Sequence, residues 1–164
     1  MFTRKNTTGI ATPHDRVDTP LWVGWLMSYH FRPAGRILEP CRGKGNIYRY
    51  LPQPDTDWCE IDEGRDYLKH RGHYDWLFVN PPYSIFNGFM AKVFEDGDNV
   101  PVVMPLAKQY RSKTYMDLTV GFGVPEILIL ARNGTNLGFP FGYPVGVVYY
   151  KRGYRGTTEK IDYS

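Results

Sequence analysis

Short apolar runs bounded by turn residues recur along the chain and predict six buried strands. The runs cover residues 36–39, 58–61, 76–79, 100–104, 126–130 and 145–150. Apolar residues at helical spacing predict helices over residues 21–30, 46–51 and 85–94. Because the strands alternate with helices or loops, the pattern indicates an α/β fold in which helices cover both faces of a central sheet.

The first predicted helix has a clear start. Thr19 is a good N-cap residue, and Pro20 is tolerated in the first helical turn. Upstream, residues 1–18 are polar and irregular and are expected to form an N-terminal arm. No linker or repeat divides the remaining sequence, so residues 19–164 are expected to form one domain.

Composition narrows the class of protein. Apolar residues make up 42% of the chain, and no run approaches the roughly 18–20 apolar residues of a membrane span. The N-terminus lacks an apolar signal core, and Cys41 and Cys59 provide neither a disulfide framework nor a zinc cluster. We therefore expect a soluble cytoplasmic protein that needs no metal.

The net charge of +3 is unevenly distributed. Residues 1–50 carry eight Lys and Arg against three Asp and Glu, residues 51–100 carry four against ten, and residues 101–164 carry eight against four. An acidic middle between basic flanks is compatible with a cationic ligand beside an anionic substrate. It is equally compatible with ordinary solvated faces.

Candidate functional residues stand at the ends of predicted strands. Glu39 ends the first strand, Glu60 stands at the second, and Asn80 follows the third. Ligands of open α/β sheets bind outside the carboxyl ends of the strands, so these side chains are expected to meet.

A glycine loop follows Glu39. Gly43 and Gly45 are separated by one residue and let the backbone approach a ligand closely, although tight turns also need glycine. The spacing of a phosphate-binding P-loop is absent, and the carboxylate of Glu39 would repel a phosphate. The loop instead suits a cationic ligand, or a hydroxyl or amino donor.

Three acids downstream are candidates for holding a nucleoside. Glu60 lies about twenty residues after Glu39, where a carboxylate can accept hydrogen bonds from both ribose hydroxyls. Asp62 is a rival for that role, and Asp66 could accept a hydrogen bond from an adenine amino group. Each acid taken alone is also compatible with a solvated loop.

The tetrapeptide Asn80-Pro81-Pro82-Tyr83 ends the third apolar run. Its two prolines fix φ and remove two amide donors, which makes the turn rigid. The Asn80 side-chain oxygen and a nearby backbone carbonyl can accept both hydrogens of one amino group and so direct its lone pair toward a methyl carbon. Tyr83 offers a face on which a planar substrate can stack. A simple turn requires neither Asn80 nor Tyr83.

These motifs occur in the order seen in S-adenosylmethionine-dependent N6-adenine DNA methyltransferases, and residues 19–104 resemble that family. The resemblance implies a Rossmann-like fold with a mostly parallel sheet and an antiparallel final strand. It implies direct methyl transfer to N6 of an adenine flipped out of double-stranded DNA. The implied catalytic residues are Asn80, Pro81, Pro82 and Tyr83. The implied cofactor-binding residues are Thr19, Pro20, Glu39, Pro40, Gly43, Gly45, Glu60, Asp66 and Asn80.

The resemblance also implies a role for each part of the site. Glu39 and the glycine loop would hold the methionine part of the cofactor, Glu60 the ribose hydroxyls and Asp66 the adenine amino group. Tyr83 would stack on the target base while Asn80 and the Pro81 carbonyl hold its amino group.

The chain departs from the family pattern in two ways. Larger members carry a long target-recognition region for which this sequence has no room, and Glu60 and Asp66 lie only six residues apart. The chain resembles a minimal, phage-like catalytic domain, which would place it in the host cytoplasm. Contacts with nucleic acid would come from loops that mix basic and aromatic residues. The candidates are Lys108, Tyr110, Arg111, Lys113, Phe139, Phe141, Lys151 and Arg152.

Other functions stay open. The tetrapeptide chemistry requires only a planar amine or amide, so RNA or a protein glutamine could be the acceptor. A nucleic-acid-binding module that keeps the fold without turnover is the non-enzymatic alternative. A monomer and a homodimer are both compatible with so small a domain.

Overall fold

The chain forms a seven-stranded sheet in the computed structural model, which describes residues 17–164. The predicted arm therefore lies almost entirely outside the described residues. The strands are β1 (Ile37–Glu39), β2 (Thr56–Trp58), β3 (Tyr74–Leu77), β4 (Gly97–Pro105), β5 (Phe122–Ala131), β6 (Val145–Arg152) and β7 (Glu159–Asp162). The α-helices in this part of the chain are α1 (Leu21–Phe31), α2 (Phe86–Asp96) and α3 (Lys113–Leu118).

The strands lie in the order β2-β1-β3-β4-β6-β5-β7. β6 is antiparallel to both of its neighbours, and the other adjacent strands are parallel. The predicted mostly parallel sheet with an antiparallel strand at residues 145–150 is confirmed. That strand is not the last one, because β7 follows and pairs with β5. β7 escaped prediction since it is a mostly exposed edge strand without an apolar run.

Alternating side chains of the strands build a core on each face of the sheet. Val102 of β4 belongs to the cluster that includes Phe89 of α2 and Tyr115 of α3. The next residue, Val103, belongs to the opposite cluster together with Met27 of α1. Because successive strand residues point to opposite faces, one apolar strand supports both layers of helices. The predicted covering of both faces by helices is confirmed.

Two predicted elements differ from the structure. Residues 46–51 form a single 3₁₀ turn at Tyr48–Tyr50 rather than an α-helix, because Pro52 follows and disfavours helical backbone at Leu51. The second strand covers Thr56–Trp58 and not residues 58–61. Glu60 instead caps the 3₁₀ turn Ile61–Glu63 through the backbone N–H of Asp62.

The helices at 21–30 and 85–94 were predicted almost to their ends. α1 ends at Phe31, and the C-cap residue Arg32 has a left-handed φ of 45°. Its N-cap is Pro20 without a side-chain cap, so the prediction that Thr19 caps this helix is wrong. The outer side of α1 exposes Trp25 and Tyr29, whose rings stack on each other. No helix within residues 17–164 is long and apolar enough to cross a membrane.

Candidate functional site

The carboxyl ends of β1, β2 and β3 border a cavity of about 1040 Å³. It is lined by the glycine loop, by the turns after β2 and by the start of the Asn80 tetrapeptide, so the predicted convergence of strand ends occurs. Charged side chains in its lining are six acids and three bases, namely Asp18, Glu39, Glu60, Asp62, Glu63 and Asp66 against Arg42, Lys44 and Lys69. This excess of carboxylates favours a ligand that carries positive charge.

Glu39 is the most deeply buried acid of the cavity. Its side chain is 2% exposed, and its Oε2 atom has no hydrogen-bond partner among residues 17–164. Burial raises the pKa of the Glu39 carboxyl well above its usual range, and nearby Glu60 adds to this, whereas the Tyr48 N–H and Arg42 oppose it. A buried acceptor without a partner costs free energy, so a donor from a bound ligand would complete this site.

The glycine loop turns sharply beside Glu39. Gly43 has φ +52° and Gly45 has φ +74°, both left-handed conformations that favour glycine. The Gly43 N–H donates to Glu60 Oε2 at 2.6 Å, which joins the loop to the turn after β2. Gly45 closes the loop through a 2.8 Å bond from its N–H to the Arg42 carbonyl. Gly43 therefore borders the cavity, whereas Gly45 maintains the turn.

Arg42 shapes the rim of the cavity in a way that the sequence did not reveal. Its guanidinium lies 3.7 Å from the ring centroid of Trp58, and that of Arg65 lies 4.1 Å from the same ring. Arg42 also forms an ion pair with Glu63. These contacts hold the glycine loop against β2, and the only cue in the sequence is a basic residue between the loop glycines and Glu39.

Glu60 and Asp62, the two candidates for binding the ribose hydroxyls, differ in burial. Glu60 is half-buried and accepts the Gly43 N–H, whereas Asp62 is exposed. Asp66 caps the turn Tyr67–Lys69 by accepting the Leu68 N–H at 3.0 Å through Oδ1. All three acids line the cavity, and Glu60 is the one directed at the glycine loop.

Asn80 is held at three points where β3 ends. Its Nδ2 donates to the Val17 carbonyl at 2.9 Å and to the Thr19 hydroxyl at 3.0 Å. Its backbone carbonyl accepts the Cys41 thiol at 3.1 Å. Burial and the charge of Glu39 raise the pKa of Cys41 well above its usual range, which keeps the thiol protonated as a donor. The roles of Val17 and Cys41 had no cue in the sequence.

Tyr83 lies beside the cavity in an aromatic cluster. Its ring is parallel to that of Phe86 at 6.0 Å between centroids, and Phe139 and Phe141 meet it edge-on at 6.2 and 6.3 Å. Phe139 is 3% exposed and Phe141 is half-buried. The Lys108 ammonium lies 5.8 Å from the Tyr83 centroid. Burial raises the pKa of Tyr83 far above its usual range, so the hydroxyl stays protonated.

The predicted site residues divide into two groups in the structure. Of the implied cofactor and catalytic residues, those that line the cavity are Thr19, Glu39, Pro40, Gly43, Glu60, Asp66, Asn80 and Pro82. The remaining four, which stand next to lining residues in the chain, are Pro20, Gly45, Pro81 and Tyr83.

Four nucleic-acid candidates follow β4 at the same edge of the sheet as Asn80. Lys108 is half-buried with its ammonium 4.2 Å from the Phe86 centroid, and burial lowers the pKa of Lys108. Tyr110, Arg111 and Lys113 are exposed. This edge combines positive charge with an exposed aromatic ring.

Lys151 and Arg152 lie at the opposite edge of the sheet. β6 is antiparallel to β4, and Lys151 pairs with Asn99 near the start of β4. Arg152 donates to the Phe94 and Gly97 carbonyls at 2.6 and 2.9 Å, and to Asp98 at 2.8 Å. These two residues are therefore outside the candidate site, because the reversed direction of β6 carries its carboxyl end away from Asn80.

No protein-family model and no curated protein sequence matches the chain. Its fold is similar to several solved structures. A candidate class I S-adenosylmethionine-dependent methyltransferase from Listeria monocytogenes aligns with a TM-score of 0.67 at 10% identity, over 92% of this chain and 67% of that one. The type IIG restriction endonuclease BpuSI aligns with a TM-score of 0.67 at 16% identity, over 89% of this chain and 27% of that one.

The M protein of the type I restriction enzyme EcoKI aligns with a TM-score of 0.61 at 12% identity, over 85% of this chain and 44% of that one. The chain thus spans less than half the length of either restriction-system protein. At these identities the likeness concerns the fold, and the predicted Rossmann-like methyltransferase fold is confirmed.

Proposed function

We propose that this chain binds S-adenosylmethionine in the acidic cavity and methylates the N6 amino group of adenine in DNA, on a base flipped out of the duplex. The observation that carries the proposal is the fixed amide of Asn80 at the rim of that cavity. The similarity of the fold to a candidate methyltransferase and to two restriction-system proteins supports it.

The residues of the cavity fit the proposed cofactor. Glu39 Oε2 is a buried acceptor that has no partner within residues 17–164, and it would take a hydrogen bond from the ammonium of the methionine part. Glu60 would accept the ribose hydroxyls, since a carboxylate that already accepts the N–H groups of Gly43 and Asp62 has further lone pairs available. Asp66 would accept the adenine amino group through Oδ2, beside its 3.4 Å ion pair with Lys69, because its Oδ1 already caps the turn.

Asn80 and its neighbours would hold the acceptor. Asn80 Oδ1 and the Pro81 carbonyl would each accept one hydrogen of the amino group, and Tyr83 would stack on the base. When bound, S-adenosylmethionine supplies an electrophilic methyl carbon to which the amino nitrogen bonds as the sulfonium sulfur leaves, and the amino group loses one proton to solvent. Positioning of the two reactants contributes most of the rate, so Asn80 acts by orientation and not as a strong base.

The surface around Asn80 favours nucleic acid over a protein acceptor. Lys108, Tyr110, Arg111 and Lys113 follow β4 at this edge and combine charge for phosphates with a ring for stacking. Double-stranded DNA is the proposed partner, bound by a monomer or a homodimer. Phe141 would contact the flipped base from the side of Tyr83. The expectation that Phe139 contacts nucleic acid is wrong, because its ring is buried in the core behind Tyr83.

The decisive experiment is mass spectrometry of nucleosides after the protein has been incubated with isotope-labelled cofactor and either DNA or RNA. We expect labelled N6-methyladenine from unmethylated DNA and none with the Asn80→Ala variant. Equal or greater labelling of RNA or of a protein fraction, with none on DNA, would refute the DNA substrate. Cofactor binding without any labelled product would favour the non-catalytic nucleic-acid-binding module.

A further inference from the structure

Residues 17–19 run from the glycine loop to Asn80 and contact both parts of the site. Asp18 pairs with Lys44 of the glycine loop at 2.5 Å, and the Thr19 carbonyl accepts Asn46 Nδ2 at 2.8 Å. On the other side, the Val17 carbonyl and the Thr19 hydroxyl both bind Asn80. This segment therefore joins the loop proposed for the cofactor to the residue proposed for the acceptor.

The contacts of this segment determine how the Asn80 amide is oriented. The backbone carbonyl of Val17 can only accept a hydrogen bond, so the atom that faces it must be the amide nitrogen. The Thr19 hydroxyl oxygen accepts from the same nitrogen, and the Thr19 side chain is buried. Both contacts occupy Nδ2 and direct Oδ1 away from residues 17–19.

The Tyr83 hydroxyl leaves Oδ1 free to accept. This hydroxyl lies 3.0 Å from the Val103 carbonyl and 3.3 Å from Asn80 Oδ1, and both partners are acceptors. A hydroxyl has one proton, and the shorter contact with Val103 takes it. Asn80 Oδ1 then has no donor from Tyr83 and is available to a substrate amino group.

We infer that residues 17–19 are a positioning element and that Thr19 orients the Asn80 amide, so that this site requires an amide at position 80. An aspartate there would place its second oxygen against the Val17 carbonyl, where two acceptors repel each other. This inference rests on the proposed function for its catalytic consequence, whereas the orientation itself rests on the contacts alone.

The first test compares Thr19→Val, which removes the hydroxyl, with Thr19→Ser, which keeps it. We expect Thr19→Val to lower kcat about 10-fold, as loss of one hydrogen bond does. The Kd for S-adenosylmethionine should change by a clearly smaller factor, because the hydroxyl that is removed binds Asn80. Thr19→Ser should recover most of kcat. A parallel loss of kcat and cofactor affinity in Thr19→Val, or an unchanged kcat, would overturn the inference.

The second test replaces Asn80 with Asp. Asp could still accept the amino hydrogens, but we expect methyl transfer to fall at least about 100-fold because its carboxylate is turned or displaced by the Val17 carbonyl. Cofactor affinity should stay within a few-fold. Transfer by Asn80→Asp within about 10-fold of the unchanged protein would show that no amide is required.

A readout without turnover separates this inference from the proposed function. The Asn80 side-chain amide is identified in amide proton–nitrogen correlation spectra as the pair of peaks lost in Asn80→Asp. We expect this pair to shift and to exchange faster with solvent in Thr19→Val, and to stay close to its original position in Thr19→Ser. If the pair is insensitive to Thr19→Val, the orientation is wrong, whatever substrate the protein methylates.

Discussion

Replacing Glu39 with Gln should have opposite effects on stability and on cofactor binding. Glu39 is 2% exposed, its Oε2 lacks a hydrogen-bond partner among residues 17–164, and burial raises the pKa of its carboxyl well above 4.5. The unliganded protein therefore holds a group whose ionisation opposes folding. Glutamine has nearly the same shape but cannot ionise.

The effect of this substitution on stability depends on pH. A raised folded-state pKa gives stability that is fully present below the unfolded-state value near 4.5 and is lost as pH rises through the folded-state pKa. Between these two pKa values, the free energy of unfolding of the wild-type protein falls by about 1.4 kcal/mol per pH unit relative to that of Glu39→Gln. For a chain of this size that amounts to a difference in Tm of roughly 3–6 °C per pH unit. This Tm difference can be measured by thermal unfolding of both proteins without cofactor, at a series of pH values from about 5 upward.

The effect on binding has the opposite sign. A hydrogen bond to a charged group contributes about 1.5–3 kcal/mol, so Glu39→Gln should weaken S-adenosylmethionine binding roughly 10- to 150-fold. Calorimetric titration of the wild-type protein and of Glu39→Gln with the cofactor, at the same pH, gives the two Kd values to be compared. Glu95→Gln is the matched control, because Glu95 is exposed on α2 and lies outside the cavity lining.

Two results would refute this reasoning. If Glu39→Gln bound the cofactor as tightly as Glu95→Gln, the carboxylate would not hold the ammonium. If the Tm difference between the wild-type protein and Glu39→Gln did not grow with pH, Glu39 would have an ordinary pKa in the folded state. The second result bears on the structure of the site alone.

Five further substitutions, at four positions, test the remaining parts of the site. Asn80→Ala should abolish methyl transfer and leave the calorimetric Kd of the cofactor within a few-fold, and a collapse of binding would make Asn80 structural. Tyr83→Ala should lower kcat/KM roughly 5- to 150-fold through lost stacking, whereas Tyr83→Phe should stay within about 10-fold, since it loses only the bond to Val103. Equal losses would exclude stacking as the role of the ring. Glu60→Ala should raise the cofactor Kd about 10-fold more than Asp62→Ala does, and the reverse order in the same titration would assign the ribose to Asp62.

The sequence alone determined the sheet and its helical layers, because burial on both faces requires continuous apolar runs such as the one in β4. It also located the strand-end residues Glu39, Glu60 and Asn80, since the carboxyl ends of parallel strands gather on one edge. The 3₁₀ turn at Tyr48–Tyr50 and the polar strand β7 were missed, because neither carries the periodicity on which such predictions depend.

Only the tertiary structure decided which partners these residues have. The residue type and position of Thr19 predict a helix N-cap, yet its hydroxyl binds Asn80, which lies 61 residues away in the chain. Arg152 is a basic residue of the kind that predicts a phosphate contact. The reversed direction of β6 nevertheless places it at the edge of the sheet opposite Asn80, against the end of α2. Local pattern reports how each segment is buried, and it holds no information on strand order or direction. The amide orientation of Asn80 depends on both, because it is set by a segment that only the folded chain brings to the end of β3.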